Sequence, residues 1–281
     1  MTDWGADISY CADQARRFDR DRYLCALFAP AARRQALFAL TAFNLELARI
    51  REAVSEALLG RIRLQWWREA IAGIFEGAPR RHQVIAPLAA AVAAHGLSRG
   101  HFDRLIEARE FDLDNRPPAN LGALIDYAEG TSSTLVLLAL EALGSREPEA
   151  IEAGRQVGIA WALVGLMRAV PFHARARRLY LPADLSAEAG LDTGELFELR
   201  APPQARAVIE RLAQAAHRHL RAAREHRRAI PKAALPALLP ATLADGYLAD
   251  IEKAGYDVFQ VPVNAAPRSW RLALNRLSGR F

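Results

Sequence analysis

Apolar residues recur at helical spacing along nearly the whole chain. After Pro30, the residues Leu40, Phe43, Leu47, Ile50 and Val54 follow one another at steps of three and four, which predicts one helix with a single apolar stripe. Leu58 to Phe75 reads as a second helix, carrying the pair Trp66-Trp67, and Val84 to His95 as a third. Ser98 to Glu110 follows, with Ser98 placed to cap it. Asn120 to Leu143 reads as two segments broken near Gly130. Glu149 to Val170 is strongly apolar, and Pro171 is expected to end it. Pro203 to Arg228 is amphipathic and basic, and Leu235 to Lys253 is a last core helix interrupted by Pro236 and Pro240. No stretch alternates with period two for long enough to build a sheet, and no linker or repeat divides the chain. The expectation is an all-α domain over residues 1–260, followed by a tail over 261–281.

That tail is basic and amphipathic. Trp270, Leu274, Leu277 and Phe281 fall at steps of four, three and four, beside Arg268, Arg271, Arg276 and Arg280, and no acid follows Asp257. A helix of this kind suits an anionic membrane surface or a membrane subunit, with packing on its own bundle as the alternative.

Composition narrows the function classes. Of the 281 residues, 52% are hydrophobic, enough for a sizeable core, but no apolar run reaches the ~18 residues of a membrane span. The longest, Val157 to Met167, stops at Arg168 and reads as a buried helix. Met1 to Asp7 carries acids and no apolar signal segment, so a cytoplasm-like compartment is expected. Cys11 and Cys25 are too few for a disulfide framework and read as buried thiols. The histidines form no HExxH pair, and His217, His219 and His226 read as part of a solvated, arginine-rich face. All but two of the 37 basic residues are arginine, so only the placement of an arginine is informative, not its abundance. There is no GxxxxGK[ST] loop, GxGxxG turn or GxSxG elbow, and no nucleic-acid partner is expected.

The most specific local patterns lie in order along the chain. They are Arg22-Tyr23, then Phe28-Ala29-Pro30 with Arg34, then Ala36 to Asn44. Asp112, Asp114, Tyr127 and Ala128 follow, then Gly158-Ile159-Ala160, Arg168 and Arg178-Leu179-Tyr180-Leu181-Pro182. Together they resemble the squalene/phytoene synthase superfamily over roughly residues 8 to 260. The resemblance implies an isoprenoid-synthase-type helical bundle around a central cavity. It also implies prenyl-diphosphate chemistry supported by magnesium, held by two aspartate-rich motifs on facing helices.

The chain departs from the family at those motifs. The first would fall on Ala48-Arg49-Ile50-Arg51-Glu52, where only Glu52 is acidic; the second would fall on Ala169-Val170-Pro171-Phe172-His173, where nothing is. No Asp or Glu occurs from Ala153 to Ala183. Magnesium takes oxygen ligands, and arginines in the first motif repel it. If Pro171 ends its helix, His173 leaves the face of its family counterpart. Glu52 with Glu56 reads as a solvated i,i+4 pair, Asp112 and Asp114 as residues capping or solvating a helix end, and Trp66-Trp67 as core and rim. A relocated site on Glu107, Glu110 and Asp114 is open by helical spacing alone.

One branch shares these losses. Ala42 to Ala48, Val54-Ser55-Glu56, Arg63 to Trp67, Tyr127-Ala128-Glu129 with Ser132-Ser133, and Leu166 to His173 resemble the assembly factor 6 family of respiratory complex I. The resemblance implies a bacterial pseudoenzyme without cofactor, peripherally bound to the inner face of the membrane, whose partner is a complex I subunit or assembly intermediate. The alternatives are a magnesium-dependent prenyltransferase and a carrier of lipid or isoprenoid in the old cavity. Arg34, Arg168, Arg178 and Tyr180 stand at family positions and are the candidates for binding an isoprenoid diphosphate or anionic lipid without metal.

Overall fold

The computed structural model describes residues 9–261 and 269–281. Met1 to Asp7, and Pro262, Pro267 and Arg268 at the start of the tail, lie outside the described residues. Among the described residues fifteen α-helices run in the order α1 (Tyr10–Phe18), α2 (Arg20–Leu27), α3 (Ala31–Ala48), α4 (Ala57–Phe75), α5 (Ile85–His95), α6 (Arg99–Ala108), α7 (Leu121–Ala128), α8 (Thr134–Leu143), α9 (Pro148–Arg175), α10 (Ala183–Glu188), α11 (Thr193–Phe197), α12 (Pro203–Glu225), α13 (Leu235–Leu238), α14 (Pro240–Lys253) and α15 (Ser269–Ser278). There is no strand among the described residues.

Local chemistry sets many of the boundaries. Ser9 caps α1 by accepting from the Ala12 amide, and Asn120 caps α7 by accepting from Ala123 at 2.9 Å. Ser98 stands at the start of α6 as expected, but its hydroxyl is drawn to the Glu141 carboxylate and caps nothing. Gly144 ends α8 at φ 80°, a left-handed conformation that a side chain would strain. The stripe predicted to run on to Val54 stops earlier. α3 ends at Ala48, and Arg49 to Ala53 form turns closed by bonds such as Ala53 N to Arg49 O. Ile50 is still buried, but it points inward from a turn. Glu52 and Glu56 therefore share no helix, because Glu56 is the residue before α4.

α9 is the axis of the bundle, packing against α8, α12 and α14. By length and composition it could cross a membrane, yet about half of its apolar window (56%) is buried in the fold. The expectation that Pro171 ends this helix is not met: α9 continues to Arg175. Pro171 removes one amide from the ladder, but Met167, Val170 and Ala174 around it are buried, and their packing holds the last turns. Elsewhere the core is built on aromatic edges. Phe43 sits edge-on to Trp67 at 5.3 Å and to Phe102 at 5.5 Å. Each such buried ring contributes about 1.5–3 kcal/mol.

Between α7 and α8 the predicted break near Gly130 is a π-helical turn over Glu129–Ser133, so the chain stays helical through it. Gly158 of α9 lies against this turn. A β-carbon there would overlap the backbone of Ser133, so only glycine allows the close approach. The Ser133 hydroxyl then donates to the Arg155 carbonyl at 2.6 Å across the same contact.

Candidate functional site

A buried polar cluster forms where α3, the turn after α6, α7 and the end of α9 converge. Arg109 and Asp112 lie on a 3-10 turn over Arg109–Leu113, Asn44 on α3 and Tyr127 on α7. The remaining members arrive by a sharp reversal. Arg177 adopts φ 51° and closes α9, with the Arg178 amide donating to the His173 carbonyl at 2.9 Å and Arg177 to Ala174 at 2.9 Å. Glycine usually fills this position, and a side chain there costs about 1–2 kcal/mol. The reversal brings Arg178 and Tyr180 back onto the cluster.

Asp112 is the hub. One oxygen of its carboxylate accepts from the Tyr127 hydroxyl at 2.7 Å and from the Tyr180 hydroxyl at 2.7 Å. The other accepts from Arg109 at 3.1 Å. Arg109 also donates to Tyr127 and to the Asn44 side-chain oxygen, each at 3.0 Å. Arg178 donates to the backbone carbonyl of Asp112 at 2.9 Å and to the Tyr180 hydroxyl at 3.0 Å. Asp112 is only 6% exposed, so it neither caps nor solvates a helix end. A polar group this deep must be paired, and here it is paired with two tyrosines and a guanidinium. Burial would lower Arg109, but the Tyr127 and Asp112 oxygens beside it hold it charged and raise its pKa. Burial and the Asp112 charge push both tyrosines up, so their hydroxyls stay protonated as donors.

His173 remains on the inner face of α9, contrary to the expectation that Pro171 would turn it away. Its ring centroid lies 4.6 Å from that of Tyr180. Burial, then the charge of Arg178, lower its pKa to about 4, so the imidazole is neutral at pH 7. Its Nδ1 is buried without a hydrogen-bond partner, as is Nε of Arg109.

The two motif positions place one carboxylate, Glu52, between them. Ala48 ends α3, Arg49 stacks on the Phe18 ring at 3.7 Å, and Glu52 is exposed in the turn beyond. On the facing helix stand Ala169 and the neutral His173. Among the described residues no three His, Cys, Asp or Glu side chains are placed to hold a metal ion. Of the Glu107, Glu110 and Asp114 set, Glu110 is paired to Arg68 and Asp114 lies near Arg61 and Arg116. A hard cation takes convergent oxygens, and these positions supply alanine, arginine, a neutral imidazole and the single exposed carboxylate of Glu52.

The anion-binding candidates have partners within the fold. Arg178 and Tyr180 meet at Asp112. Arg168 lies apart, over the Tyr247 ring at 3.5 Å and 3.9 Å from Asp21, which accepts from the Tyr247 hydroxyl at 2.8 Å. Arg34 donates to the Ala29 carbonyl at 2.9 Å. Two cavities share Arg22 in their walls. The polar one, about 170 Å³, is also lined by Asn44, Arg109, Tyr127 and Ser132. The apolar one, lined by Cys25, Leu37, Leu40 and Val136, is about 40 Å³. That is room for roughly two or three waters, far less than a prenyl chain. Cys11 and Cys25 are buried thiols, the first pushed up to about 11 by burial.

The sequence reading missed Arg109 and the central place of Asp112. The available signal was an Arg–Asp pair at i,i+3 with Phe111 between them and Leu113 beside them, apolar residues within an otherwise charged stretch. The stripe placed on the tail is also corrected. Trp270, Leu274 and Leu277 are exposed, but Phe281 is 3% exposed and packed into the body.

Comparison with known proteins agrees with this geometry. The chain is 35% identical over 271 residues to complex I assembly factor 6 of Bos taurus, covering 93% of this chain and 81% of the relative. It is 33% identical over 277 residues to the Homo sapiens protein of that name, covering 95% and 83%. A dehydrosqualene synthase crystallised with a ligand superposes with a TM-score of 0.84 at 21% identity, covering 96% of this chain and 94% of that one, which establishes the shared fold. The squalene/phytoene synthase model matches residues 15–277, and the chain therefore belongs to that family.

Proposed function

We propose that this chain is a non-catalytic member of the family that assists assembly of respiratory complex I at the inner face of the membrane. The observation that carries the reading is its 33–35% identity, over more than nine-tenths of its length, to proteins named for complex I assembly. The non-catalytic part is supported by chemistry. Only the exposed Glu52 is acidic at the first motif, a neutral His173 stands at the acid-free second, and Asp112, the buried carboxylate of the cluster, is committed to the chain's own arginine and tyrosines. Partner and place follow from the assembly role: a complex I subunit or intermediate, met at the membrane surface without a cofactor.

Deletion of the gene tests the reading. Assembled complex I and NADH:quinone activity should fall, and the wild-type chain should restore them, while C30 and C40 isoprenoids stay at normal levels. Normal complex I with a lost isoprenoid would reverse the assignment in favour of a prenyltransferase.

A further inference from the structure

We infer that the exposed face of α15 is a docking surface for an anionic lipid bilayer, with Trp270, Leu274 and Leu277 entering the interface and the flanking arginines meeting the headgroups. The inference rests on the assembly reading only for where the protein works; the surface itself is argued from its geometry.

The helix is held to the body on one side. Leu272 is fully buried, the Asn275 side chain donates to the Thr242 hydroxyl at 2.8 Å, and Phe281 is buried beyond the helix end. Arg224 donates to the Phe281 carbonyl oxygen at 2.9 Å, and Arg227 to the Gly279 carbonyl at 3.3 Å. This anchoring answers the objection that so short a helix is marginal alone. The opposite side is apolar and uncovered: Trp270 is 61% exposed, Leu274 55% and Leu277 83%. At roughly 100° per residue, Arg271 and Arg276 fall on the two flanks of that stripe, with Leu272 behind it. Arg271 lies over the Trp270 ring at 5.3 Å. No carboxylate side chain pairs with Arg271, Arg276 or Arg280 among the described residues, and no Asp or Glu follows Asp257. The helix thus carries arginines and no acid, is held to the body, and sets tryptophan beside leucine, the composition that an interfacial helix needs.

A second exposed apolar stripe shows what such a surface lacks when it is not built this way. On α4, Leu58, Leu59 and Ile62 are exposed at 62%, 45% and 58%. Around it acids alternate with arginines, in the pairs Arg61–Asp114, Arg68–Glu110 and Arg80–Glu69. Arginines paired in this way offer an anionic bilayer little net charge, so α4 serves as the internal control.

The experiment is sedimentation of the purified full chain with phosphatidylcholine vesicles, with and without phosphatidylglycerol. The wild type should sediment with the phosphatidylglycerol vesicles, and less so as salt rises. Replacing the stripe by Trp270→Ser, Leu274→Ser and Leu277→Ser should weaken binding about tenfold or more. Unfolding should be unchanged, because Leu272 and Phe281 keep the helix attached. Leu58→Ser with Ile62→Ser should bind like the wild type. Equal binding by the triple variant, or equal binding to neutral vesicles, overturns the inference. So does a wild type that ignores vesicles while the triple variant loses a protein partner in cells, which would give the surface to an acidic protein. A wild type that fails to sediment leaves the assembly reading standing, and intact complex I in deletion cells sinks that reading whatever the vesicles show.

Discussion

The cluster around Asp112 and the face of α15 use the same residue type to opposite ends. In the cluster, Arg109 and Arg178 are turned inward and share one aspartate and two tyrosines. On α15, Arg271 is exposed and Arg276 half-buried, neither paired with a carboxylate among the described residues, beside uncovered tryptophan and leucine. An arginine that is already hydrogen-bonded inside the fold contributes to its stability and is withheld from ligands. One held at the rim of an apolar stripe is free to attract an anionic surface. The difference separates a cluster closed on its own partners from a surface left open.

The largest expected effect comes from opening the closed side. Asp112→Ala leaves Arg109 buried without its carboxylate and deprives both tyrosine hydroxyls of an acceptor. Breaking a buried pair this way should cost about 3–5 kcal/mol in urea unfolding. A loss below about 1 kcal/mol would mean that Asp112 is not the hub.

His173 gives the next effect, and it depends on pH. Its folded pKa of about 4 lies below the ordinary imidazole value of 6.5, so the unfolded chain binds the extra proton first. The stabilisation is complete above about pH 6.5 and is lost as pH falls toward 4, an amount on the order of 3 kcal/mol. His173→Gln should remove that part of the pH dependence, read as the difference between the two proteins' unfolding free energies at neutral and acid pH. Parallel curves for variant and wild type would contradict the burial of this ring.

On the open side the effects should be unequal between neighbours. Leu272→Ala empties a buried position and should loosen α15, costing about 2 kcal/mol or more of its docking, read by hydrogen exchange of the α15 amides. Leu277→Ser should change stability by less than about 0.5 kcal/mol. Equal effects would mean that the two faces of the helix do not differ as described.

Much of this architecture was legible in the chain. The spans of α4 and α5 and the start of α9 follow from helical apolar patterning, and the losses at Ala48, Arg49, Ala169 and His173 are visible against the family pattern. What was not legible depends on tertiary partners. Pro171 reads as a helix stop by its missing amide, and only the packing of Met167, Val170 and Ala174 overrides it. Asp112 stands two residues from Asp114 and reads as solvated, because Tyr180, 68 residues onward, supplies the hydroxyl that makes burial tolerable. Phe281 fits the exposed stripe by spacing, yet α15 has ended before it, so its side chain turns back into the body.

The closed side carries the central claim, that the chain performs no prenyl-diphosphate chemistry. The most direct measurement is diphosphate release by the purified protein with magnesium and farnesyl or geranylgeranyl diphosphate. The expected result is no release above the protein-free control and no C30 or C40 product. Turnover at about 1 per second or faster, an ordinary enzyme rate, would contradict it.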